Sequence, residues 1–138
     1  MSGFAPAGRA QPAPWRRAGL AFVAVGAAAA ALHYLLTLLL AGPFGLAPAV
    51  ANTAGFLAAF PLSYLGHRHL SFADRPAPHR QALPRLLLVS LTAFASNQLL
   101  LDALLRLTPL PLWLALGLVL VGVALGTFLA GRCWAFAA

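Results

Sequence analysis

Residues 18–41, AGLAFVAVGAAAAALHYLLTLLLA, form an apolar stretch that contains no Asp, Glu, Lys or Arg. A membrane-spanning helix needs about 20 mostly apolar residues, because the backbone rises about 1.5 Å per residue through about 30 Å of hydrocarbon. Residues 18–41 meet this requirement. Working outward along the chain, three further apolar stretches of similar length follow, at residues 48–66, 83–105 and 110–131.

The composition of the whole chain agrees with this interpretation. Of the 138 residues, 62% are hydrophobic and 8% are charged, and the mean hydropathy is +0.87. An ordinary soluble domain carries about 25% charged residues, so a soluble globular domain, a disordered protein and a coiled coil are all excluded. Lipid offers no partners for unpaired backbone groups. We therefore predict an all-α integral membrane protein with four transmembrane helices.

The charged residues predict the orientation of these helices. Arginines lie in the first 17 residues, in the segment between the second and third stretches, and at Arg132, whereas residues 42–47 carry no charge. Asp102 and Arg106, four residues apart after the third stretch, have the spacing of a helical ion pair. The positive-inside rule then predicts that both termini are cytoplasmic. Because the arginines lie between apolar stretches, they do not predict nucleic-acid binding.

The N-terminal residues 1–17 are rich in Ala, Pro and Gly. We interpret them as a short disordered cytoplasmic tail and residues 18–138 as one transmembrane domain. A cleaved signal peptide is the alternative for the first apolar stretch. The length of that stretch, and its part in an internal repeat, favour an uncleaved helix.

The internal repeat has a spacing of 64 residues. Residues 63–72, SYLGHRHLSF, align without a gap on residues 127–136, TFLAGRCWAF, and His33 aligns on Asn97. Each copy contains two apolar stretches. The repeat predicts two helical hairpins that enter the membrane in the same sense, a parallel topology.

These two segments, together with Ala51-Asn52 near the start of the second stretch, resemble the GtrA-like family of small four-span membrane proteins. The family pattern at the end of the second span is similar to Asn-Phe-Leu-Leu-Asn-Arg-Arg-Trp-Val-Phe. Here Ser63 and His67 replace its two Asn residues, and His69 replaces its second Arg. The resemblance implies a multi-pass protein of the bacterial inner (plasma) membrane that serves cell-surface polysaccharide synthesis by translocating a polyprenyl-phosphate-linked sugar.

Arg68 and Arg132 are the candidate residues for binding the lipid phosphate. They occupy equivalent positions of the repeat, and a guanidinium group matches phosphate oxygens in a bidentate way. The alternative needs no ligand, since an Arg at a helix C-terminus complements the helix dipole and anchors the span at the interface.

Polar residues within the apolar stretches are the candidates for contacting the sugar. Polar side chains at membrane depth tend to face the bundle interior or a wet cavity, and this group comprises His33, Asn52, Ser63 and Asn97. The alternative is hydrogen bonding between helices.

Aromatic residues beside the arginines are the candidates for contacting the lipid chain: Tyr64, Phe72, Trp134 and Phe136. An interfacial aromatic belt explains them equally well.

Small residues at four-residue spacing predict close helix packing instead. They form one stripe, Ala51, Gly55, Ala59 and Ser63, in the second stretch and another, Gly122, Gly126 and Ala130, in the fourth.

The chain offers no constellation for catalysis. It has no Glu, two distant Asp and one Cys, so we predict no enzyme activity, no metal site and no cofactor. A proton-coupled drug exporter of similar size would need a membrane-embedded Glu.

Two functions remain, a translocator of a polyprenyl-phosphate-linked sugar and a non-transporting anchor that recruits or stabilises a glycosyltransferase. Membrane lipids are expected partners in either case, and four helices enclose so little volume that translocation predicts a homodimer.

Overall fold

The computed structural model describes residues 14–71 and 79–135, and every regular element in these two ranges is helical. Helix α1 spans Pro14–Ala41 and α2 spans Pro48–Gly66, and a π-helical turn, His67–Ser71, continues α2. Helix α3 spans His79–Leu107 and α4 spans Leu112–Ala135. The prediction of an all-α fold with four long helices is confirmed for the described residues.

The helices are longer than the apolar stretches at some of their ends. Helix α1 begins at Pro14, so residues 14–17 are helical rather than part of a disordered tail, and residues 1–13 lie outside the described residues. The physical reason is that proline is favoured in the first turn of a helix, where its missing N–H costs nothing. Helix α3 likewise begins at His79 and continues through Pro84.

The exposed surface of the helices is strongly apolar. The stretches Arg16–Ala41 and Leu86–Leu107 are long and apolar enough to cross a membrane, and only 22% and 11% of their most apolar windows are buried within the chain. Helix α4 contributes a shorter apolar stretch, Leu112–Gly126, among the described residues. Such exposure suits a helix surrounded by lipid and would be costly in water.

The helices pack as two pairs. In the first pair, α1 and α2 run antiparallel, since Thr37 lies near Ala51 while Val25, further from the connection, lies against Gly66. In the second pair, α3 and α4 pack around a small apolar core of Leu101, Ala115, Leu116 and Val119. Residues 42–47 connect the first pair, with Gly45 at φ +66°, a conformation that glycine adopts without strain.

The two pairs are joined near their short connections. The Tyr34 hydroxyl of α1 donates a hydrogen bond to the backbone oxygen of Trp113 in α4, at 3.0 Å. We call the end with connections 42–47 and 108–111 the link end. The opposite end, where α1 begins and α2 ends, is the terminal end.

The buried positions of the two pairs correspond at the repeat spacing of 64 residues. Four buried positions of the first pair are Thr37, Ala51, Asn52 and Gly55. Their equivalents in the second pair are also buried: Leu101, Ala115, Leu116 and Val119. The repeat seen in the sequence therefore coincides with a repeat in burial, although the first pair fills these positions with polar or small residues and the second with mostly larger apolar ones.

The two predicted small-residue stripes behave differently. Ala51, Gly55 and Ala59 are buried in the first pair, as predicted. Gly122 and Gly126 are exposed, and a Cβ added to either would meet nothing within 4 Å. The packing prediction is wrong for α4 within this chain, because the apolar core of the second pair lies nearer the link end.

Candidate functional site

A cluster of buried polar side chains lies where α1, α2 and α3 meet. Asn52 of α2 is its centre, and its side chain is fully buried. Its Oδ1 lies 2.8 Å from His33 Nε2 of α1, and its Nδ2 donates to Asn97 Oδ1 and Gln98 Oε1 of α3, each at 2.8 Å. We call these four residues the polar cluster.

This arrangement uses all the hydrogen-bonding groups of the Asn52 amide that point into the cluster. Its Nδ2 carries two hydrogens, and each has its own carbonyl acceptor. Its Oδ1 then needs a donor, so the hydrogen of His33 lies on Nε2. Hydrogen bonding of this kind holds helices together where water is excluded.

The first helix pair comes close enough to form this cluster because of Gly55. A Cβ added there would lie 2.8 Å from both the Cδ2 and the backbone oxygen of His33, and it would also meet the Thr37 hydroxyl. That hydroxyl donates to the His33 backbone oxygen at 2.8 Å. Any larger residue at position 55 would push α1 away from α2.

A cavity of about 960 Å³ lies between the two helix pairs and is lined by residues of all four helices. It extends from the polar cluster towards the terminal end. His33 and Asn97 line its inner part, and Ser63 and Ser90 are the other polar residues in its wall. None of its described lining residues carries a formal charge. This volume is at the upper end of those typical of small-molecule sites.

Phenylalanine rings form much of the cavity wall. Phe56 of α2 stacks on Phe94 of α3 with ring centroids 4.4 Å apart, and Phe60 lies next to Phe56 on the same helix at 6.2 Å. His33 approaches the edge of Phe56 at 6.5 Å. The wall therefore suits a ligand part that is largely apolar.

One buried donor in this wall is left over. Asn97 is 3% exposed, and its Nδ2 has no hydrogen-bond partner among the described residues. Its Oδ1 accepts from Asn52 Nδ2, so turning the Asn97 amide alone would lose that bond. An unpaired buried N–H is costly and rare in native proteins.

The terminal end of the cavity lies beside the π-helical turn. Phe22, a lining residue, packs on the His67 ring with centroids 4.5 Å apart. Burial lowers the pKa of His67 below its ordinary value, which favours the neutral ring at pH 7. Arg68 follows directly and is half-buried. π-helical turns occur frequently at functional sites.

The structure brings together some of the residues singled out in the sequence. His33, Asn52 and Asn97 share one cluster, and Ser63 lines the adjoining cavity. Tyr64 is buried and stacks on Phe60 with centroids 6.4 Å apart. Arg132 and Trp134 belong to α4, but their side chains lie outside the described set. Phe72 and Phe136 lie outside the described residues altogether.

Sequence reasoning missed the phenylalanine wall and the roles of Thr37 and Gln98. Phe56 and Phe60 are one helical turn apart, and together with Phe94 they could have been noticed as a concentration of rings near the predicted polar interior. Thr37 is equivalent to Leu101 in the repeat. A polar residue at a position where the repeat has an apolar one indicates a polar contact specific to the first helix pair. Gln98 is visible in the sequence as a polar residue beside Asn97, but its contact with Asn52 depends on how α2 and α3 pack.

The sequence of residues 21–136 matches the family described as GtrA/DPMS, transmembrane domain. The chain belongs to this family. The resemblance to GtrA-like proteins is thereby confirmed, and the GtrA/DPMS transmembrane domain covers all the described helices except the first residues of α1. No curated protein and no solved structure matches the chain.

Membership in the GtrA/DPMS family fixes the general setting of the protein. It is a membrane protein of a family that serves glycosylation pathways, in agreement with the exposed apolar helices. The polar cluster and the cavity are thus buried features of a membrane-embedded helical domain.

Proposed function

We propose that the protein translocates a polyprenyl-phosphate-linked sugar across the bacterial inner membrane for cell-surface polysaccharide synthesis. The observation that carries this proposal is the cavity between the helix pairs, which ends at a buried polar cluster. A sugar crossing hydrocarbon would lose its hydrogen bonds to water, at a cost of several kcal/mol per unsatisfied group. A cavity with buried polar groups lowers that cost.

The proposed orientation follows from the arginines. The two helix pairs insert in the same sense, as parallel hairpins, with both termini and the terminal end of the cavity on the cytoplasmic side. Arg16, Arg17, Arg68 and Arg80 then lie at that side, and the link end faces outward. The cavity would receive its ligand from the leaflet in which the lipid-linked sugar is made.

The residues take separate roles in this proposal. Arg68 and Arg132 bind the lipid phosphate, which remains outside the charge-free cavity. His33, Ser63 and Asn97 line the polar part of the path for the sugar, and Asn52, which does not line the cavity, holds Asn97 in place. Tyr64, Phe72, Trp134 and Phe136 line the route of the polyprenyl chain. The position of Arg68, next to His67 at the Phe22 end of the cavity, supports the first of these roles.

The test is a flipping assay in reconstituted vesicles with a fluorescent polyprenyl-phosphate hexose. We expect the wild type to flip the lipid and the double variant Arg68→Gln/Arg132→Gln to be slowed about tenfold or more, because each charge-assisted contact contributes about 1.5–3 kcal/mol. Arg106→Gln is the matched control. Its guanidinium Nε lies 2.8 Å from Asp102 Oδ2 in an exposed ion pair near the link end, so this variant should flip normally.

If the double variant flips the lipid as fast as the wild type, Arg68 and Arg132 do not bind the lipid phosphate. A wild-type protein that does not flip the lipid but retains a glycosyltransferase on the membrane would favour the anchor instead. The proposed translocator acts as a homodimer, and crosslinking in membranes that yields only monomer would contradict that part of the proposal.

A further inference from the structure

The side-chain amide nitrogen of Asn97 is a hydrogen-bond donor without a partner, and this indicates what kind of group the ligand places beside it. The side chain is almost fully buried, it lines the cavity, and its Nδ2 has no partner among the described residues. Asn52 bonds to each of the three other members of the polar cluster. Asn97 therefore combines a place in the cavity wall with a buried amide N–H that is left unpaired.

The chemistry of the matching group follows from the wall. A donor needs an acceptor, and the acceptor must be uncharged, since no charged residue is described among the lining residues and a buried unpaired charge is far costlier than a neutral polar group. The phenylalanine wall requires that the rest of the group be largely apolar or flat.

We propose that Asn97 Nδ2 donates a hydrogen bond to an uncharged oxygen of the ligand at the inner part of the cavity, and that Asn52 is a positioning residue which does not contact the ligand. The acceptor is a sugar hydroxyl or an ester carbonyl of a lipid. Both are neutral oxygens, and both the C–H face of a hexose and an acyl chain can pack on aromatic rings. The inference rests on the proposed function for its choice of probe lipids.

The positioning role of Asn52 follows from its hydrogen bonds. By donating to Asn97 Oδ1, it fixes which end of the Asn97 amide remains for the cavity. His33 holds the Oδ1 of Asn52 in turn. Asn52 offers no donor to a ligand, because both of its amide hydrogens already have acceptors, and its side chain is fully buried away from the cavity wall.

The experiment measures binding by native mass spectrometry with three probes: a polyprenyl-phosphate hexose, polyprenyl phosphate and a diacyl glycerophospholipid. Asn97→Leu and Gln98→Leu are the matched variants. Each removes one acceptor of Asn52 Nδ2, but only Asn97→Leu also removes the unpaired buried donor. We expect Asn97→Leu to weaken binding of one probe about tenfold and Gln98→Leu to weaken it less.

The probe affected identifies the source of the acceptor. Weaker binding of the hexose lipid alone indicates a sugar hydroxyl, and weaker binding of the glycerophospholipid alone indicates an ester carbonyl. Asn52→Leu should reduce the preference between probes as Asn97→Leu does, whereas a merely structural defect would weaken all three equally.

Equal effects of Asn97→Leu and Gln98→Leu, or no effect of either, would overturn the inference. The result is separable from the proposed function. If binding depends on Asn97 but the protein does not flip lipid in vesicles, translocation is contradicted and the role of Asn97 is supported. If the Asn97→Leu variant flips lipid and binds every probe with wild-type affinity, translocation is supported and the role of Asn97 is contradicted.

Discussion

At the scale of the residue, the molecule is organised around one amide. Asn52 joins α1, α2 and α3 through hydrogen bonds to His33, Asn97 and Gln98. Its equivalent in the repeat, Leu116, is also fully buried. The same position in the same kind of helix pair thus accommodates either an amide or an aliphatic side chain of similar size, so the choice of Asn at position 52 concerns hydrogen bonding more than volume.

Replacing this amide should lower stability. We expect Asn52→Leu to reduce the free energy of unfolding by about 2 kcal/mol, since three hydrogen bonds between helices are lost at somewhat under 1 kcal/mol each. The measurement is unfolding by SDS titration in mixed micelles. Thr53→Val is the control, because Thr53 is exposed and its hydroxyl bonds only to the Ala49 backbone oxygen of its own helix. Equal losses in both variants would contradict the assignment.

At the scale of the element, close approach of α1 and α2 depends on position 55. Gly55 lies against the His33 backbone oxygen and the Thr37 hydroxyl, so the two helix backbones nearly touch there. In the second pair Val119 takes the equivalent position, and α3 and α4 are correspondingly not held by such a contact. The backbones of α1 and α2 therefore approach each other more closely at this position than those of α3 and α4.

Gly55→Ala should therefore destabilise the first pair. Alanine is the better helix former by roughly 1 kcal/mol, but the added methyl group has no space, and overpacking costs about 1–3 kcal/mol. We expect a net loss of about 1 kcal/mol in the same SDS titration. Gly122→Ala, where nothing lies within 4 Å, should be neutral or slightly stabilising. A stabilised Gly55→Ala variant would show that the helices are not in contact at this position.

Much of the fold could be predicted from the sequence, because the length of an apolar stretch sets the length of a spanning helix. The repeat also identified His33 and Asn97 as equivalent positions. That Asn52 lies between them could not be predicted, since spacing along a chain gives no information on the rotation of one helix against another. For the same reason the Gly122 stripe was assigned to packing, whereas α4 turns it outward.

At the scale of the whole molecule, the cavity exists because the helix pairs meet at the link end and leave space between them towards the terminal end. Tyr34 and Trp113 join α1 to α4, and Phe56 and Phe94 join α2 to α3. The lining from all four helices means that no single pair could form the site.

Filling this space should stop transport. Ala93 lines the cavity, whereas Ala95 on the same helix is exposed. We expect Ala93→Trp to reduce flipping of a polyprenyl-phosphate hexose to the level of protein-free vesicles, because the indole takes the volume that the ligand needs. Ala95→Trp, facing lipid, should retain wild-type flipping. Normal flipping by Ala93→Trp would show that the ligand travels outside the cavity.

The hydrogen bond between Tyr34 and Trp113 has a mechanical consequence. Together with the hydrogen bonds from Asn52 to α3, it ties the two pairs on the link-end side of the cavity, so that a change in the angle between the pairs would pivot there. About 20 Å of helix separates Asn52 from Gly66, and over such a lever a rotation of a few degrees becomes a displacement of more than an ångström. Contacts at the link-end side of the cavity would thus set its width at the terminal end.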